Sequence, residues 1–114
     1  MTLKDIKELL HATVLTDNND LDRVIQYAYS TDMMSDVLAY AKHDSILITG
    51  LCNPQVIRTA EMMDLAGIIF IMEKIPDDIM VSLAKEIDLC LMVTNLTMFT
   101  ICGKLFHAGL DGGV

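Results

Sequence analysis

Three short runs of almost unbroken apolar residues constrain this chain more than any other feature: Ile46-Leu47-Ile48-Thr49, Ile68-Ile69-Phe70-Ile71-Met72 and Leu89-Cys90-Leu91-Met92-Val93. A strand with one wet face alternates apolar and polar residues, whereas a strand covered on both faces does not. Between the runs lie stretches with helical spacing: Val56, Ile57, Ala60 and Met63, then Ile79, Met80, Leu83, Ala84 and Ile87. Buried strands alternating with helices predict a parallel sheet with helices on both faces and right-handed crossovers.

The flanks extend the pattern. Leu3, Ile6, Leu9 and Leu10 predict a first helix, and Thr2 with Asp5 three residues on is a start signal. Residues Ala12 to Leu15 and Val24 to Tyr29 read as strands with a wetter face; Met34, Val37, Leu38 and Ala41 mark another helix. Asn53-Pro54 and Pro76-Asp77-Asp78 open helices, by capping and by charge at the positive end of the dipole. A final helix carries Met98, Ile101, Cys102 and Leu105, with Asn95 and Thr97 as candidate caps. The expected fold is α/β: a single three-layer domain with a mostly parallel open sheet, ordered α-β-β-α-β-α-β-α-β-α. It spans residues 1–108, and the glycine-rich 109–114 reads as a flexible tail.

Charge narrows the partners. Sixteen acids against eight Lys and Arg give a net charge of -8, and no basic cluster stands out. Such a surface repels nucleic acid and anionic membrane. No apolar run approaches a bilayer span and the first residues lack signal architecture, so a cytoplasmic location is expected. Cys52, Cys90 and Cys102 are an odd number without C-x-x-C spacing, which reads as reduced thiols rather than disulfides or a zinc site.

The opening Thr2-Leu3-Lys4-Asp5-Ile6, the segment Met34-Ser35-Asp36-Val37-Leu38, the strand end Ile48-Thr49-Gly50, and Ala66-Gly67-Ile68-Ile69-Phe70 form a recognisable set. Leu83-Ala84-Lys85-Glu86 and Val93-Thr94-Asn95-Leu96-Thr97 continue it. Over nearly its whole length the chain resembles the DRTGG domain, a module related to the N-terminal domain of HPr kinase/phosphorylase. The resemblance implies a non-catalytic regulatory domain, with an adenine nucleotide as the ligand class. It extends to stand-alone copies found beside iron-hydrogenase and redox components, which implies a protein partner in a regulatory or redox system. Both loops that name the family are replaced: Leu51-Cys52-Asn53-Pro54 stands at the Asp-Arg position and Ile71-Met72-Glu73-Lys74 at the Thr-Gly-Gly position.

The residues themselves offer one candidate site. Open α/β sheets bind ligands at the carboxyl edge of the strands, where helix N-termini present free N–H groups. Thr49, Gly50, Asn53, Gln55 and Arg58 lie there, and Thr94, Asn95 and Thr97 occupy the equivalent loop two strands on. The bland reading makes Thr49-Gly50 a turn, Asn53 and Thr97 caps, and Arg58 a solvated charge. Ser30, Thr31 and Asp32 carry the same pair of readings after the second strand. No Walker loop is present. Cys52, just ahead of a helix start that lowers thiol pKa values, is the one candidate nucleophile, but neither it nor Thr49 has an evident base. His11, His43 and His107 are scattered, Asp17, Asp20 and Asp22 lack the rest of a calcium loop, and no cofactor or metal is implied.

Methionines Met63, Met72, Met80 and Met92 read as core gap-fillers. The last helix differs, since Met98, Phe99, Ile101, Cys102, Leu105 and Phe106 leave it few polar sides. A helix apolar nearly all round is covered by something, and a homodimer is expected. The function expected is regulatory or ligand-sensing, with a nucleotide-like small molecule at the carboxyl edge and signalling through the dimer. The alternatives are a protein-interaction subunit of a redox or hydrogenase-related system without a small ligand, and an enzyme using Cys52 or Thr49.

Overall fold

A computed structural model describes residues 1–17 and 19–113. The elements run α1 (Leu3–Leu10), β1 (Thr13–Val14), β2 (Ala28–Ser30), α2 (Met34–Tyr40), β3 (Ile46–Thr49), α3 (Pro54–Met62), β4 (Gly67–Phe70), α4 (Asp78–Glu86), β5 (Cys90–Val93) and α5 (Met98–His107). The order is the expected one. The sheet runs β1-β5-β4-β3-β2, parallel except for the two-residue β1, which pairs antiparallel with β5.

Alternation along the buried strands builds two cores. Ile46, Ile48, Ile69, Cys90 and Met92 face α1 and α5 with Leu3, Ile6, Ile101 and Leu105. Leu47, Ile68, Phe70, Leu89 and Leu91 face α2, α3 and α4 with Val37, Val56, Ala60 and Met80. All four residues of β3 and of β4 are buried, which is why their sequences carry no polar alternation.

The caps follow local chemistry. Thr2 and Asp5 form a reciprocal capping box, and the bonds from Thr2 hold the Asp5 carboxyl below its ordinary pKa. Asn53, Asp77 and Thr97 cap α3, α4 and α5 by accepting bonds from Val56, Met80 and Thr100 N–H groups. Asn95 is exposed and takes no part in the cap.

Several expectations need correcting. Of residues 24–29 only Ala28 and Tyr29 join the sheet as strand; Val24 is exposed and bridges Thr2, and Ile25 N–H donates to Met1 O. Backbone partners from the N-terminal segment outcompete the sheet for that stretch. Met72 is neither strand nor core. Met72 and Glu73 both adopt left-handed backbone, with φ of 52° and 55°, and Met72 is half exposed. Residues 109–113 pack against the domain instead of trailing from α5. Gly109, at φ 113°, reverses the chain, Leu110 N–H donates to Leu105 O, and Leu110 is buried. This is a helix-stop motif with its apolar partner, and it brings Asp111 alongside Tyr27 as a parallel bridge. Val114 lies outside the described residues. No described helix is long and apolar enough to cross a membrane.

Candidate functional site at the carboxyl edge of the sheet

Four parallel strands end at this edge, followed by loops 31–33, 50–53, 71–77 and 94–97. Thr49 is fully buried, and its hydroxyl donates to Asp32 Oδ1 at 2.9 Å. The same carboxylate oxygen accepts from Gly50 N–H at 2.7 Å, while Leu51 N–H donates to Thr49 Oγ1 at 3.1 Å. One carboxylate thus ties the β2 loop to the β3 loop. It occupies the place beside backbone N–H groups that an external anion would take.

Asp32 therefore joins loops and caps no helix; α2 begins at Met34, with Met33 as an N-cap residue that makes no side-chain cap bond. Asp32→Ala is expected to destabilise the fold by about 2 kcal/mol, because a buried hydroxyl loses its charged acceptor. Asp32→Asn, which keeps an acceptor oxygen, is expected to lose less than half of that in urea denaturation.

The loop after β4 crosses between the others. Its left-handed pair is pinned by Met72 N–H to Leu96 O at 3.0 Å and Glu73 N–H to Thr94 O at 2.8 Å. Non-glycine residues adopt this conformation at a cost of roughly 1–2 kcal/mol each, so the two bonds offset strain. The loop also brings Lys74 over the β3 loop: a Cβ built on Gly50 lies 3.4 Å from Lys74 Nζ. Asp32 reads in sequence as an edge group or a cap, and Lys74 does not stand out as a site residue. The bonds that place them cross loops, and no local spacing signals them.

The eight candidate residues do not form one cluster. Thr49 and Gly50 meet Asp32 and Lys74, with Asn53 capping α3 and Gln55 and Arg58 exposed on it. Thr94 and Thr97 lie beyond β4, on the β5 side. Thr94 is buried and its hydroxyl donates to Leu10 O at 2.9 Å; Asn95 is exposed. Because α3 and α5 cover opposite faces of the sheet, Arg58 and Thr97 diverge.

Cys52 does not behave as an activated thiol. Partial burial first, then the charge of Asp77, push its pKa up, and Lys74 opposes them only in part. The helix start thus fails to lower it, contrary to expectation. Cys90 is buried and pushed up to about 11, chiefly by desolvation.

That shift carries a pH dependence. Below the ordinary thiol value of 9.0 both states of the chain hold the proton, and nothing is gained or lost. Between there and about 11 the unfolded chain ionises first, so the fold loses stability as pH rises, by up to about 2–3 kcal/mol. Urea midpoints at rising pH are expected to show this loss, and a Cys90→Ala variant is expected to lack that part of it.

Among the described residues, no three His, Cys, Asp or Glu side chains converge as metal ligands. A separate groove of 380 Å³, mostly apolar, runs between α5 and the β2 edge, lined by Ser30, Ile48, Phe99, Gly103, Phe106 and Leu110 among others.

No protein-family model matches the chain, and no curated protein does. Among solved structures it is similar to the CBS and DRTGG domains of the regulatory region of Clostridium perfringens pyrophosphatase, complexed with the activator diadenosine tetraphosphate. The TM-score is 0.78 at 16% sequence identity, covering 91% of this chain and 45% of that one. The likeness is one of fold, of DRTGG-like type, and the chain spans less than half of that neighbour's length.

Proposed function

We propose that this chain is a non-catalytic regulatory module that acts through a homodimer, with a nucleotide-like small molecule at the carboxyl edge shifting the state of that dimer. The observation that carries it is α5: once the fold is complete, Phe99 is 89% exposed and Phe106 75% exposed on a helix whose other face is core. A monomer gains nothing from two aromatic rings in water. The ligand class rests on the likeness to a regulatory region that binds a dinucleotide polyphosphate. Gly50, Asn53, Gln55 and Arg58 would take it on the α3 side, whereas Thr94, buried and bonded to Leu10 O, and Thr97, on the opposite face, lie outside that contact. Lys74, which lies over Gly50, would supply the cation for phosphate.

Sedimentation at tens of micromolar tests the dimer, and a clean monomer would sink it. Thermal unfolding with AMP, ADP, ATP and diadenosine tetraphosphate tests the ligand. A nucleotide at a hundred times its Kd stabilises by about 2.7 kcal/mol, and Lys74→Ala is expected to reduce that response. No stabilisation by any of them removes the ligand and favours the second reading, a protein-interaction subunit without a small molecule, such as one serving a redox system. Asp32 already filling the anion position is the observation on that side.

A further inference from the structure

Resting on the self-association reading, the geometry points to how the second copy docks: we infer that α5 packs against α5 of a second copy, antiparallel, crossing at Gly103. Phe99, Cys102, Gly103 and Phe106 recur at helical spacing and share one face, opposite the buried Ile101 and Leu105. Glycine weakens a helix interior, so its presence in the middle of α5 asks for a reason. None lies within the chain, because a Cβ added at Gly103 meets nothing within 4 Å. A backbone approaching from outside supplies one, as the missing side chain lets two helices come close.

The occupant follows from shape and charge. Two protruding rings and a notch on the same face are complementary to a second copy of that face, which a two-fold axis provides. About that axis Phe99 of one copy lies against Phe106 of the other, and the groove beside Gly103 has room for an aromatic ring. In a chain of net charge -8, α5 is also the one described helix without an acidic residue, and it carries Lys104 and His107. A contact between two copies of α5 therefore brings no carboxylates together, unlike one made through the acidic remainder of the surface. The two rings alone expose about 300 Å², a substantial part of the roughly 800 Å² per subunit that a stable interface buries.

The test uses the full chain in sedimentation velocity, with a Cys52→Ser background for cross-linking. Gly103→Leu strengthens the helix and enters open space, so it leaves the monomer folded while blocking the crossing. It is expected to weaken dimerisation at least tenfold, with no loss in thermal unfolding temperature at dilutions where both chains are monomeric, and Phe106→Asp is expected to do likewise to the dimer. A short bismaleimide is expected to join the two copies through Cys102, and Cys102→Ser to abolish the product. A dimer that ignores both substitutions and yields no Cys102 cross-link overturns this interface while leaving the dimer reading intact. A monomeric wild-type chain overturns both.

Discussion

Phe70→Ala is expected to cost about 3–5 kcal/mol and to leave the chain largely unfolded at physiological temperature. Phe70 ends the central strand β4, is wholly buried, and is among the largest side chains of the core shared by α2, α3 and α4. Its ring packs in the cluster with Met80, Leu91 and Ala60, each held by a different element. Truncation opens a cavity that no single neighbour can refill, because each is fixed by its own backbone. The backbone bond from Thr94 N–H to Phe70 O at 3.1 Å survives the change, so the loss belongs to packing alone. Phe70→Leu separates the two contributions: it keeps most of the apolar volume and is expected to recover more than half of the stability in urea titration.

Gly67→Val is expected to be damaging by the opposite route, overfilling instead of emptying, at about 3 kcal/mol. Gly67 opens β4 between Ile46 on β3 and Cys90 on β5. A Cβ there lies 2.8 Å from the Cys90 carbonyl oxygen and 3.3 Å from Cys90 Cβ. The nearer atom is backbone and cannot rotate away. Relief requires β4 and β5 to separate, which strains the parallel ladder in the middle of the sheet. Gly67→Ala already meets the same carbonyl and is expected to lie between wild type and valine. An alanine variant as stable as wild type would show that β5 yields freely at Cys90.

Most of the architecture was legible because its causes are local or periodic. The apolar runs at β3, β4 and β5 declare burial on both faces, and Thr2, Asn53 and Thr97 declare helix starts through side chains that reach only three residues along the chain. Each miss has a distant partner behind it. Val24 was drawn out of strand β2 by Thr2, and Leu110 was drawn into the core by the turn at Gly109. At the candidate site Thr49 and Gly50 were visible as a strand end, but Asp32, seventeen residues earlier, is what holds them. Lys74 arrives through a left-handed turn that Met72 and Glu73 give no sequence reason to expect. The aromatic face of α5 was visible as an excess of apolar residues; the sequence could not say which of them, Ile101 or Phe106, would remain in water.

The strand order has a consequence for biosynthesis. Both outer strands depend on late-arriving chain: β1 waits for its partner β5, and β2 is bridged by Asp111 only after α5 has formed. A chain only as long as Thr49 would contain β2 and β3 but none of β4, β5 or α5, so neither margin of that pair would be covered. Edges of that kind recruit strands from neighbouring chains. Both margins are therefore completed only by residues 90–111, which makes β5 and the pairing at Asp111 the last parts of the sheet the chain can supply.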